Sequence, residues 1–344
     1  MASKQQPQSA SRPTVATIEP SAAITGGELH IRGQHLAANG RPSVKMGNQA
    51  AHLVIAGDSY IIARVPDSAA VGEIVISSGS AQSDMRVTHL GIQIADSLHP
   101  VANPAVDAEG NIYSTFSGSR GQKSPVSIYK IDTNYSSKPF VTDLMNPTGL
   151  AFDRDGLLYA SSRYDGIIYQ ITPTGNMSVY AEGMGVATGI AFDEDENLYV
   201  GDRSGTIFKI SRSRQIYVFA TLEPSIAAYH LAFGPEDYLY VTGPTTSSFD
   251  AVHRISHAGE VETFFRGVGR PQGLAFDASG RLYVAASVAG RRGIIRIDEA
   301  RKAEHFLSGP GIVGLAFTPG GSLAVATQNA LFRVDVEIPG RPLP

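Results

Sequence analysis

Pro147-Thr-Gly-Leu-Ala-Phe-Asp153 returns four times along the chain. The copies are Ala187-Thr-Gly-Ile-Ala-Phe-Asp193, Tyr229-His-Leu-Ala-Phe-Gly234, Pro271-Gln-Gly-Leu-Ala-Phe-Asp277 and Ile312-Val-Gly-Leu-Ala-Phe-Thr318. Asn103-Pro-Ala-Val-Asp107 is a sixth, degenerate copy. Taken at positions 107, 153, 193, 234, 277 and 318, the spacings are 46, 40, 41, 43 and 41 residues. That period is one four-stranded propeller blade. Each copy leads through a short turn into a second apolar run, such as Leu157-Leu-Tyr159, Leu198-Tyr-Val200, Leu239-Tyr-Val241 or Leu282-Tyr-Val284. The run Gly-Leu-Ala-Phe suits a strand buried on both faces. Asp153-Arg-Asp-Gly156 and Asp277-Ala-Ser-Gly280 are turn formers, in which Asp bonds its own backbone and Gly takes positive φ. Helical periodicity is nearly absent, with at most one turn expected within Asp298–His305.

Six wedges must close into a ring, because an open ring would expose two apolar blade faces. The last blade supplies only three strands, ending near Phe332-Arg-Val-Asp-Val336. Its missing outer strand is predicted from upstream of the first blade, within Leu90–Ala95. Residues 13–89 have a different texture. Pro13–Pro20, Gly26–Gly33, Ser43–Met46 and Gly72–Ser77 are strand-like runs with Gly and Pro punctuation at the spacing of a small β-sandwich. The fold expectation is therefore all-β: an immunoglobulin-like sandwich followed by a six-bladed β-propeller closed by an N-terminal strand. The expected boundaries are a disordered tail over 1–12, the sandwich over 13–89, the propeller over 90–337 and a C-terminal tail over 338–344.

Composition narrows the function classes. The 344 residues carry 28 Lys+Arg against 32 Asp+Glu, a net charge of −4, with 17% charged and 42% hydrophobic residues. This excludes a strongly basic nucleic-acid binder. The absence of cysteine removes disulfides, thiolate metal sites and cysteine nucleophiles. No run reaches the 18 apolar residues of a membrane span. Met1–Arg12 lacks the apolar core of a signal peptide, so a cytoplasmic location is expected as written, although a trimmed secreted form would read the same.

Two resemblances follow from these motifs. Ile18-Glu-Pro20, Gly26-Gly27 and Ile31-Arg-Gly33 make residues 13–89 similar to an IPT/TIG domain, an immunoglobulin-like module. The pattern Pro-x-Gly-Leu-Ala-Phe-Asp-x-x-Gly-x-Leu-Tyr-Val makes residues 90–337 resemble NHL-repeat propellers and the SMP-30/gluconolactonase-like group. The lactonase branch implies a divalent cation, usually calcium, held in the central channel by Glu, Asn and Asp. Asn at the blade entrances belongs to that pattern. Here those positions hold Thr148, Thr188, Tyr229-His230, Gln272 and Val313, and only Asn103 keeps an Asn. Hard cations want several oxygen ligands, preferably anionic, and this set is a poor cage.

Other motifs read as structure. Gly309-Pro-Gly-Ile-Val-Gly314 matches G-x-G-x-x-G, but a blade strand follows it where phosphate binding needs a helix. Asp193-Glu-Asp-Glu-Asn197 begins like a calcium loop but lacks its later ligands. His253 and His257 offer two imidazoles without a third zinc ligand. No serine-hydrolase elbow or P-loop occurs. The repeated Phe152, Phe192, Phe233, Phe276 and Phe317, with Tyr113, Tyr159, Tyr199, Tyr240 and Tyr283, are expected to pack between blades.

Charge placement carries the functional expectation. In a propeller, the loops leading into each blade and those joining its second and third strands share one face, here called the loop face. The first hairpins of the blades lie on the other, the hairpin face. The hairpin face collects acids from Asp107 to Asp277. The loop face receives Arg120, Lys123, Arg163, Arg203, Arg270, Arg291 and Arg292. Arginine offers a planar fork for carboxylate or phosphate. The favoured expectation is a binding or scaffolding module whose loop face, through Arg120, Arg163, Tyr164, Arg203, His230, Gln272 and Arg291, meets a small anionic or polyol ligand or a protein partner. The alternative is a metal-dependent lactonase or ester hydrolase with Asn103 and Asp202 as calcium-ligand candidates and His230 as base. The NHL resemblance also implies RNA binding in some members. From residue 91 onward, however, 21 basic residues face 26 acidic ones, which argues against a broad phosphate footprint.

Overall fold

The protein is described here from a computed structural model covering residues 11–246 and 250–342. Most of the expected N-terminal tail, and the last two residues, lie outside the described residues. The chain divides into two compact units: residues up to 92 together with 306–309, and the remainder.

The N-terminal unit is a β-sandwich. One sheet orders Thr14–Glu19, Glu28–Gln34, Tyr60–Arg64 and His52–Ala56; the other orders Arg86–Val87, Glu73–Ser78, Ser43–Met46 and Gln49–Ala50. Alternation sets its core. Leu29 and Ile31, Val44 and Met46, and Ile74 and Ile76 are buried two residues apart on three strands, so one side of each strand faces the partner sheet.

The second unit is the six-bladed propeller. Blade two shows the pattern, with Pro147–Phe152, Leu158–Ser162, Ile168–Ile171 and Met177–Ala181 in one antiparallel meander. Blades one, three, four and five repeat it from Ala105–Val106, Ala187–Phe192, His230–Phe233 and Leu274–Phe276. Blade six has Ile312–Phe317, Ser322–Thr327 and Leu331–Asp335, and its fourth strand is Ile92–Ala95. The ring is closed as the repeat arithmetic requires, with the inner strands of blades one and six in contact.

Each of the five successive seams from blade one through blade six is an aromatic pair. Tyr113 meets Phe152, Tyr159 meets Phe192, Tyr199 meets Phe233, Tyr240 meets Phe276 and Tyr283 meets Phe317, all edge-to-face with centroids 4.7–5.2 Å apart. The second-strand tyrosine of one blade thus docks on the inner-strand phenylalanine of the next, in the geometry ring quadrupoles favour. Blade one offers Val106 at the phenylalanine position, and blade six Ala324 at the tyrosine position, so the closing seam lacks this pair and its outer strand is borrowed. The expected helical turn at Asp298–His305 is not formed. Asp298 caps a tight turn by accepting the Lys302 amide at 2.8 Å, and Ala303–Ser308 is the outer strand of blade five. A 3₁₀ turn lies instead at Pro235–Asp237.

Candidate functional site

Three places in the propeller concentrate buried polar chemistry: the axis of the ring, the loop face and the hairpin face. At the axis, the glycine of the repeat is a steric requirement. A Cβ on Gly149 would overlap the Thr188 carbonyl oxygen of blade three, and one on Gly189 would overlap that of Tyr229 in blade four. Inner strands approach so closely there that only Gly fits. Two blades break the rule, with Asn103 in blade one and His230 in blade four. The Asn103 amide bridges to blades five and six, its Nδ2 donating to Leu274 O at 2.8 Å and its Oδ1 accepting Leu315 N–H at 3.1 Å.

Beyond this level the inner strands enclose a cavity of about 1270 Å³. Its walls are the repeated Leu, Ala and Phe positions, and its mouth lies among first-hairpin residues such as Arg154, Asp195 and Pro319. His230 lines it, 3% exposed, and its ring makes no hydrogen bond among the described residues. Burial pushes its pKa down to about 4, so the imidazole is neutral at physiological pH.

On the loop face, Arg120, Arg163 and Arg203 come from consecutive blades, one, two and three. Arg163 is half-buried. Its Nη2 donates to Gly118 O at 2.7 Å, while its buried Nε has no partner among the described residues. Burial first, then Arg203 and Arg120, lower its pKa. The buried Asn146 fastens the loop that carries Arg120, accepting the Gly121 amide at 2.7 Å and donating to Gly118 O and Ser119 O. Arg203 donates to Ile226 O at 3.0 Å. Among the described residues none of the three forms an ion pair; the salt bridge of this region joins Lys123 to Asp143 at 2.8 Å. Tyr164 beside Arg163 is 48% exposed.

The remaining candidates come from other blades. Gln272 and Arg291 belong to blade five; the Gln272 backbone carbonyl accepts the Thr242 hydroxyl, and Arg291 starts a hairpin strand paired with Val288. His230 lines the cavity that opens on the hairpin face, so it does not join the arginines. Of the two cation candidates, Asn103 has both ends of its amide bonded to backbone. Asp202 is buried and accepts the Val186 amide at 2.8 Å and the Ser204 hydroxyl. No group of three or more His, Asp or Glu capable of holding a metal occurs among the described residues. Neither candidate is joined by such a cluster among the described residues, and no catalytic step is derived through a calcium ion.

The hairpin-face acids are largely consumed in folding. Asp107, Asp193 and Asp277 each accept a second-strand tyrosine hydroxyl at 3.1 Å, from Tyr113, Tyr199 and Tyr283. Burial first, and the neighbouring carboxylate second, push the pKa of Tyr199 up. The same aspartates accept the amide four residues on, closing the turn. Sequence reasoning missed Asn146 as the loop's anchor; its position immediately before Pro147 gives only a weak turn signal.

No family model matches the chain, and no curated protein matches it in sequence. Solved structures do. A gluconolactonase from Xanthomonas campestris is 14% identical, with TM-score 0.59 over 73% of this chain and 90% of that one. An auxiliary nutrient binding protein from Bacteroides thetaiotaomicron is 11% identical, with TM-score 0.55 over 94% and 97%. A catalytically inactive virginiamycin B lyase from Staphylococcus aureus, with quinupristin, is 14% identical, with TM-score 0.50 over 96% and 97%. At these identities the likeness is one of fold: this chain carries a β-propeller, the fold it shares with those structures.

Proposed function

We propose that the protein is a ligand-binding propeller whose loop face takes a small anionic molecule, a carboxylate or phosphate, between Arg120, Arg163 and Arg203. One observation carries this reading: among the described residues the buried Arg163 Nε–H has no partner, two further guanidiniums stand beside it, and no carboxylate is paired with any of the three. A buried donor left unsatisfied costs about 1–3 kcal/mol, and an anion would satisfy it while neutralising three like charges. Arginine binds such groups through two parallel hydrogen bonds. The N-terminal sandwich, read as an IPT/TIG-type accessory module ending near residue 89, is assigned no chemistry of its own.

Isothermal titration with citrate and with inorganic phosphate, at low and high salt, tests the proposal. Arg163→Ala should weaken the anion that binds wild type by about thirtyfold or more, the loss expected when one partner of a buried charge contact goes (about 2–5 kcal/mol). Arg291→Ala should leave affinity unchanged. Affinity equal in wild type and in an Arg163→Ala, Arg203→Ala double variant would refute the reading. The lactonase alternative has the support of fold likeness, and no cluster of three or more His, Asp or Glu stands among the described residues to strengthen it.

A further inference from the structure

The axial cavity is independent of the arginine face and has its own chemistry. Ala151, Ala232, Ala275 and Ala316 line it and remain part-exposed, forming an apolar collar. One polar side chain of its lining, His230, is 3% exposed and makes no hydrogen bond among the described residues. At the mouth, Glu194, Asp195 and Glu299 outnumber Arg154 and Arg341; of the two arginines only Arg341 is paired with a carboxylate among the described residues, and Arg154 keeps its charge. Arg154 donates to Glu194 O at 2.8 Å, and Arg341 pairs with the Glu194 carboxylate at 3.4 Å. The exposed carboxylates of Asp195 and Glu299, which also line the cavity, form no ion pair among the described residues. One side of the mouth is the C-terminal segment, fixed by Ala278 N–H donating to Pro339 O at 2.9 Å and Arg341 N–H to Phe276 O at 3.0 Å.

We propose that this cavity is a second binding site, for a predominantly apolar amine. Its apolar body occupies the alanine collar, one polar atom of that body bonds the His230 imidazole, and its ammonium group sits at the Asp195–Glu299 rim. Concave apolar walls with few convergent polar groups are the usual make-up of small-molecule sites. The charge of the rim selects the sign of the ligand. The size of the cavity leaves room for a body of two or three fused rings and a short chain. An anion is disfavoured at this mouth, so the two sites of the propeller discriminate by charge.

Dansylcadaverine tests the proposal, because it joins an environment-sensitive apolar ring to an ammonium chain. Its twin, dansyl-6-aminohexanoic acid, ends in a carboxylate. Wild-type protein should give a saturable, blue-shifted fluorescence increase at one dansylcadaverine per chain, and bind the acid at least tenfold more weakly. Filling the collar with Ala275→Leu and Ala316→Leu should reduce dansylcadaverine affinity at least tenfold. If that variant fails to fold, the exposed rim pair Asp195→Asn and Glu299→Gln should still weaken dansylcadaverine severalfold and narrow its advantage over the acid. Arg163→Ala should leave dansylcadaverine binding unchanged, whereas any binding of the acid at the loop face should fall, which separates this test from that of the loop face. No saturable signal, equal affinity for the two probes, or a folded collar variant that binds as wild type would overturn the proposal.

Discussion

The protein should lose stability between pH 6.5 and 4 through His230, and the amount follows from where that side chain sits. The imidazole is buried at the channel axis, and burial alone takes its pKa from the ordinary 6.5 to about 4. Between those values the unfolded chain binds a proton that the folded chain refuses. Stability therefore rises with pH across the window: the contribution is complete above pH 6.5 and is lost as pH falls toward 4. At about 1.36 kcal/mol per pH unit, a displacement of this size amounts to roughly 3 kcal/mol, a large share of a typical domain's total. Urea unfolding at pH 7.5 and 4.5 measures it, followed by near-ultraviolet circular dichroism, since the chain has 14 tyrosines and no tryptophan. His253, also lowered, by burial first and then Arg266, contributes in the same direction, so the informative quantity is the difference between wild type and His230→Gln. Wild type should lose roughly 3 kcal/mol more than the variant between the two pH values. Identical losses would show that His230 is hydrated or paired in solution, and would refute both its burial and its place in the amine site.

The seams and the closure give two further tests. Phe276→Ala removes a ring that is 5% exposed and 4.7 Å from Tyr240, and should cost about 3–5 kcal/mol by denaturant unfolding; a change below 1 kcal/mol would contradict the inter-blade role of these aromatics. Ile94→Asp places a carboxylate at a buried position of the closing strand and should cost more than about 3 kcal/mol, whereas Val218→Asp, on an outer strand and 66% exposed, should stay within about 0.5 kcal/mol. Equal effects at 94 and 218 would mean that the ring does not depend on its borrowed strand.

The architecture was legible because a propeller imposes the same packing problem six times. A strand squeezed between neighbours at the axis needs Gly, then an apolar residue, then Ala, then a large ring. That order returns at every blade that solves the problem in the ordinary way. The turn aspartates were legible as turn formers for the same reason. Their second bond, to the tyrosine six residues on, was written in the repeat but not recognised. As a result the hairpin face read as more available charge than it holds: Asp193 and Asp277 are buried, 5% and 1% exposed.

The site residues were harder because they are departures from the repeat, and a departure has no period to reveal it. Asn103 and His230 occupy the position where four blades require glycine, yet each first read as a ligand candidate on account of its side chain alone. Structure separates them. Asn103 spends both ends of its amide tying blade one to blades five and six, a role any crowded axis could reward. His230 has no such return: it costs stability in acid, fills a place where other blades carry glycine, and makes no hydrogen bond among the described residues. A residue that violates the packing rule without satisfying its own hydrogen-bonding capacity is poorly explained by folding. The Arg163 Nε on the other face has the same character. His230, neutral beneath the cavity rim, and Arg163, cationic beside two more cations, join Ser114, Ser117 and His253 as described groups whose hydrogen-bonding capacity the ring's own assembly leaves in part unused.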